Sequence, residues 1–146
     1  MQIAHEIIRN LAKDQASAFI TLDYEARQLR RKRLETDSGE AFFVELPETV
    51  RLQAGDGFVL ENGSFIAVLA GQEALLKITH NHLPRMAWHI GNRHIACEIH
   101  ADCLIIRQDA VLERMLKQLG CTIEPIQAPF NPEMGAYHSH HHDAHS

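Results

Sequence analysis

Along the first 70 residues the apolar positions come in short bursts separated by turn chemistry. "AFITLDY" (18–24), "LRRKRLET" (29–36), "AFFVELP" (41–47), "GFVLENG" (57–63) and "SFIAVLAG" (64–71) carry Phe, Val and Ile at strand-like lengths. Asp37-Ser38-Gly39, Gly55-Asp56-Gly57 and Asn62-Gly63 supply the turns, since Gly and Asn accept positive φ there. Strands this short and this closely spaced predict a small all-β domain, a barrel or sandwich, over residues 1–71. The basic run Arg30 to Arg33 suits an edge strand, because Lys and Arg guard unpaired edges. Contact with an acidic partner is its other use.

From about residue 72 the period changes. "EALLKIT" predicts a strand. "NHLPRMAWHIG" (81–91) predicts a helix with Asn81 as cap, Pro84 in the first turn and Gly91 as the stop. Leu83, Met86, Ala87 and Ile90 fall on one face of it. "HIACEI" (94–99) and "CLIIR" (103–107) predict two strands joined by the short turn "HAD". "DAVLERMLKQLG" (109–120) predicts a helix capped by Asp109 and ended by Gly120. Its apolar stripe is Val111, Leu112, Met115, Leu116 and Leu119. "CTIEPI" is a last strand. The order β-α-β-β-α-β is the split βαβ, ferredoxin-like arrangement. The whole chain is therefore expected to be α+β, with the ferredoxin-like domain over 72–137. Residues after Pro125 read as an ordered strap, and 138–146 as a flexible, disordered His-rich tail.

Composition excludes several functions. A net charge of -5 with neutral histidines disfavours a phosphate-tracking nucleic-acid binder, and the strands "HIACEI" and "CLIIR" lack the aromatics that stack RNA bases. No apolar run approaches the roughly 20 residues of a membrane span. Cys97, Cys103 and Cys121 form no CxxC and cannot all pair. With the polar start "MQIAHEIIRN", they suggest a reduced cytoplasmic setting. No nucleophile elbow, P-loop or HExxH is present, and Asp102, Asp109, Glu113 and Glu124 are scattered, so an enzyme is not expected.

Histidine is the outlier, with eleven copies, five of them in the last nine residues. His138, His140, His141, His142 and His145 offer imidazoles that suit Ni, Zn, Cu or Fe. Ser139, Asp143 and Ala144 interrupt the run, unlike an affinity tag. Ordering such a segment costs backbone entropy, so alone it binds weakly. His94, in the tetrapeptide Gly-Asn-Arg-His, is expected at the mouth of the strand after the first helix. Ile95, Cys97 and Ile99 would lie on one side of that strand, His94 and Ala96 on the other. A lone histidine there serves structure in most proteins. A two-fold axis would change the count by bringing two copies together, and the tails could complete the set. Arg93 beside it suits an acidic group or a backbone carbonyl. His89 fits a helix-end cation. His80, His82 and His100 suit solvated loop positions. Met86 and Trp88 suit core or dimer-face packing, and the cysteines suit small buried hydrophobes.

Several segments together resemble the urease accessory protein E family, dimeric nickel metallochaperones. "WHIGNRH" (88–94) carries most of the resemblance, followed by "PFNPEMGAY" (129–137) and the histidine tail. "YEARQLRRKRLETDSGE" (24–40), "LQAGDGFVLENG" (52–63) and "DAVLERMLKQLG" (109–120) add to it, and the similarity spans nearly the whole chain. It implies an N-terminal β domain of peptide-binding type and a C-terminal ferredoxin-like metal domain. It gives His94 the role of the interface metal ligand. Auxiliary ligation falls to some of His138, His140, His141, His142 and His145. It further implies a homodimer that delivers Ni2+ to the urease active site with a GTPase accessory protein in the urease maturation complex, Zn2+ or Cu2+ competing at the same site. A zinc- or copper-buffering protein without a urease client is the alternative. Two departures stand out. Arg107-Gln108-Asp109-Ala110 occupies positions where some members carry extra histidines, so that peripheral site is expected to be absent. Pro47-Glu48 replaces a common Leu-Pro-Arg-Gly turn.

Overall fold

The structure, a computed structural model, describes residues 1–134. The chain divides into two compact units, Met1–Gln72 and a second beginning at Glu73.

The first unit is one six-stranded sheet. Its strands are β1 (Gln2–Ile8), β2 (Ala16–Leu22), β3 (Gln28–Glu35), β4 (Ala41–Arg51), β5 (Gly57–Leu60) and β6 (Phe65–Ala70), in the order β2-β6-β5-β1-β4-β3. Alternate residues point inward. Phe42, Val44 and Leu46 of β4 are buried while Phe43 and Glu45 between them are exposed. Ile20 and Leu22 from one edge strand share a core with Leu29 and Leu34 from the other, so the sheet curls around that core. Asp37 ties the edges together. Its N–H donates to the Phe19 carbonyl (2.8 Å), and its carboxylate accepts from the N–H and the hydroxyl of Thr21 (3.0 and 2.7 Å). The outcome is a single curled sheet, not two facing ones.

Strand β1 has no counterpart among the five bursts. His5 and Glu6 interrupt its apolar positions, yet it lies between β4, which it parallels, and β5. A parallel partner 40 residues away leaves no hairpin signature in a sequence. The basic run lies on β3, which is an edge strand, as its charges suggest. Strand β4 runs on through Pro47 to Arg51 and does not turn there. The register jumps from Leu29↔Val50 to Arg31↔Glu45, a bulge that accommodates a residue with no N–H to give. Gly57 is needed for space: a Cβ there would meet Leu11 Cδ2 at 2.7 Å.

The second unit comprises β7 (Gln72–Thr79), α1 (Leu83–Gly91), β8 (Glu98–Ile99), β9 (Leu104–Arg107), α2 (Ala110–Gln118) and β10 (Thr122–Pro129). The sheet order is β10-β7-β9-β8, so the outer strands flank the pair β7 and β9, as in the ferredoxin-like arrangement. Met86 and Ile90 of α1 and Leu112 and Leu116 of α2 pack on Leu76, Ile78, Leu104 and Ile106. Both helices therefore cover the same sheet face.

The ends of the helices differ from expectation in instructive ways. Asn81 does not cap α1; the N-cap is His82, and it makes no side-chain cap bond. His80 acts there instead. Its Nδ1 accepts from the His82 N–H (2.9 Å), and its Nε2 lies 3.1 Å from the Leu119 carbonyl at the end of α2. This imidazole joins two helix termini, so it is not simply solvated. Helix α2 is capped as expected, with Asp109 accepting from the Leu112 N–H at 3.0 Å, and Gly120 follows it with φ +90°. Asp109→Ala is expected to cost about 1 kcal/mol of stability, read as a lower denaturant midpoint at unchanged slope. Val111 is 67% exposed and Leu119 is exposed too, which narrows the apolar stripe to Leu112, Met115 and Leu116.

Candidate metal centre

His94 is not in a strand. Of "HIACEI" only Glu98–Ile99 is strand, and His94 stands in the turn that ends α1, with φ +58°. The hydrogen bonds explain why. The His94 N–H donates to the Gly91 carbonyl (2.9 Å) and the Ile95 N–H to the Ile90 carbonyl (3.5 Å). These are the two closing bonds of a Schellman ending, with His94 in the left-handed position that Gly usually fills. Ile90 and Ile95 belong to the same apolar cluster and supply the contact that accompanies this motif. The helix stop is therefore at His94. Gly91 is still helical, and Asn92 has ordinary right-handed φ. A non-glycine residue in this conformation is uncommon and costs on the order of 1 kcal/mol or more.

The geometry sends the imidazole outward. His94 is exposed, like Gly91, Asn92 and Arg93. The Arg93 guanidinium has no ion-pair or hydrogen-bond partner among the described residues, so the acidic group or carbonyl expected for it is not among them. Trp88, six residues before His94, is 63% exposed, and its ring packs T-shaped against that of His89 with centroids 5.2 Å apart. Met86, by contrast, belongs to the core. An exposed Trp beside a half-buried His sets this side of α1 apart from its buried face.

The strap arrives at the same region. Phe130 is fully buried. The Asn131 N–H donates to Glu98 Oε2 (2.7 Å), and the Glu133 N–H donates to the Cys97 carbonyl (2.9 Å). Glu98 also pairs through Oε1 with His100 Nε2 at 2.8 Å, so His100 is held and not free. Nothing singled out Glu98 in the sequence. Its only mark was the Glu-x-His spacing, which sets two side chains on one side of a strand.

The three cysteines are free thiols. Burial pushes all three up, and Cys97 reaches about 11. A thiol must lose its proton to bind a metal, so these groups are poor ligands near neutrality and imidazole is the better donor. Among the described residues no three His, Cys, Asp or Glu side chains come together in metal-binding geometry. His94 is thus not part of a set of three such donors among the described residues. His138, His140, His141, His142 and His145 lie outside the described residues.

Comparison with known proteins supplies the frame. The family described as UreE urease accessory protein, N-terminal domain, matches residues 4–71, and its C-terminal domain matches residues 73–146. The chain belongs to the UreE family. The urease accessory protein UreE of Rhodobacter capsulatus is 52% identical over 124 residues, covering 85% of this chain and 79% of that protein. The UreE of Paracoccus denitrificans is 51% identical over 131 residues, 90% of this chain and 83% of its own length. That of Agrobacterium fabrum is 41% identical over 130 residues, with 87% and 81% coverage. UreE proteins are accessory proteins, not enzymes. Among the described residues no helix is long and apolar enough to cross a membrane.

Proposed function

We propose that this chain binds Ni2+ as cargo and passes it on during assembly of the urease active site, acting as a cytoplasmic homodimer with the urease GTPase accessory protein. The observation that carries this reading is His94. A strained, exposed imidazole at a helix stop adds nothing to the core, and glycine would occupy that slot at lower energy. Strain of this kind marks functional positions. One imidazole is too few for tight binding, and two copies related by a two-fold axis give a pair. The exposed Trp88 on the helix that ends at His94 supports that face as the contact, since Trp is enriched at protein–protein interfaces. Some of His138, His140, His141, His142 and His145 then complete the set. A site closed by tail ligands releases its ion when they leave, which suits delivery. Zn2+ and Cu2+ compete, because imidazole donors do not by themselves select Ni2+.

Calorimetric titration with nickel, with mass measured in parallel, tests the reading on the full chain and on residues 1–137. The full chain is expected to be a dimer with one tight ion per dimer and further weak ones. The truncated chain should keep its dimeric mass and its fold, lose the weak ions and bind the tight one less strongly. A monomeric full chain, or equal capacity in both proteins, would overturn it.

A further inference from the structure

The basic run on β3 takes no part in the nickel reading, and strand register shows what stands beside it. Ile3 of β1 lies opposite Phe43 of β4, and Phe43 lies opposite Arg33 of β3. Arg31 lies opposite Glu45. Cross-strand neighbours point to one face of a sheet. Phe43 is 43% exposed, and Arg31, Arg33 and Glu45 are exposed too, so this is the outer face. Lys32 alternates to the other side, opposite buried Val44, yet on the edge strand it is also exposed. Together these residues line a recess of about 500 Å³. Three cations and one carboxylate flank the apolar surface of Ile3 and Phe43, in a chain whose net charge is -5. Arg33 meets Glu35 at 3.6 Å, but both side chains are more than half exposed, and such surface pairs contribute little. Among the described residues Arg31 and Lys32 have no side-chain hydrogen-bond or ion-pair partner. Guarding an edge against strand pairing needs charge alone. It leaves unexplained a half-exposed aromatic set beside the cations.

We propose that this recess docks an acidic peptide segment of a partner protein, one that carries a large apolar side chain among its carboxylates. Charge complementarity names the occupant. Guanidinium groups pair with carboxylates through two parallel N–H bonds, which Arg31 and Arg33 offer on one face, and Lys32 adds a point charge at the rim. The apolar side chain of the segment covers Phe43 and Ile3, as aromatic anchors do at the centres of interfaces. Glu45, opposite Arg31, disfavours a uniformly anionic ligand and favours one whose charges are spaced. A nucleic acid would carry its phosphates past the recess onto a chain of net charge -5. A short acidic segment ends where the cations end, and charges beyond about 10 Å are screened at 0.1 M salt. The proposal is independent of the nickel reading, and its test uses no metal.

The probe is a short fluorescein-labelled peptide of alternating glutamate and serine around one phenylalanine, titrated with the full chain and followed by fluorescence anisotropy. Saturable binding is expected with Kd below about 1 mM, weakening as salt is added. The double variant Arg31→Gln/Arg33→Gln should bind about tenfold more weakly, because two charge-assisted contacts are lost, and its salt dependence should flatten. On the parent protein, a peptide with serine in place of its phenylalanine should bind about fivefold more weakly at unchanged salt dependence. This second comparison leaves the protein untouched, so it decides the matter even if the double variant fails to fold. In nuclear magnetic resonance titrations the amides of Ile3, Arg31, Arg33, Phe43 and Glu45 should shift. No saturable binding up to about 1 mM would overturn the proposal. Equal binding of a peptide with glutamine for glutamate, or equal binding by the double variant, would do the same. Tighter binding of single-stranded RNA or of anionic lipid vesicles than of the peptide would assign the recess to another class of partner and also refute it.

Discussion

His94→Ala is expected to abolish the tight nickel site, with a loss of two orders of magnitude or more in affinity. The proposed two-fold axis makes one substitution remove two ligands at once, and among the described residues no other set of three His, Cys, Asp or Glu side chains could hold the ion instead. Weak binding by the C-terminal histidines should persist. Dimer mass should not change, because the proposed contact rests on the exposed Trp88 and not on the imidazole. His94→Gly separates ligation from folding. Glycine adopts φ +58° freely, whereas histidine is strained there. The Gly variant should therefore be more stable than the parent by about 1 kcal/mol while losing the tight site as completely as the Ala variant does. Thermal unfolding and nickel calorimetry on both variants check this. A Gly variant that is less stable would mean that the imidazole serves the fold. Tight binding retained at one ion per dimer in either variant would remove His94 from the mechanism.

The second large effect is that of pH on nickel affinity. A metal-bound imidazole must be deprotonated, and a free imidazole side chain titrates near about 6.5. Below that value protons compete with the ion, and each ligating imidazole weakens binding by about tenfold between pH 7.5 and 5.5. Two imidazoles give about 100-fold, and each tail ligand adds a further factor. Binding at neutral pH should release correspondingly few protons, rising in number as the pH is lowered. Thiolate ligation predicts a different profile. With Cys97 pushed up to about 11 by burial, a cysteine site would release a proton for each thiol even at pH 7.5. Calorimetry in buffers of different ionisation enthalpy counts those protons. A flat affinity from pH 7.5 to 5.5 would exclude imidazole as the ligand.

Much of the fold was legible along the chain because it is local. Periods of two and of 3.6, the Asp109 cap and the Gly120 stop lie within a few residues of what they control. The ferredoxin-like order of the second unit needs only the succession of elements, since short connections leave few arrangements open. The misses share a cause. Strand β1 looked polar, and what makes it a strand is pairing with β4 and β5 from distant sequence. Val111 obeys the helical period but lies on the rim, where no neighbour covers it. His80 looked like a loop histidine until the fold brought the end of α2 to it.

For the candidate metal centre the division is sharper. The sequence determined by itself which chemistry is available: eleven imidazoles, five of them near the C-terminus, no paired thiol motif and one histidine after a helix stop. It also carried the family resemblance, because "WHIGNRH" and the strap are contiguous motifs. Only the tertiary structure decided that His94 takes the left-handed place in the turn, since that depends on Ile90 and Ile95 packing into one core. Only the tertiary structure brought Glu98 onto Asn131, 33 residues away. Backbone strain and a long-range clasp are properties of closed geometry. Residue order supplies their parts, and packing fixes where those parts meet.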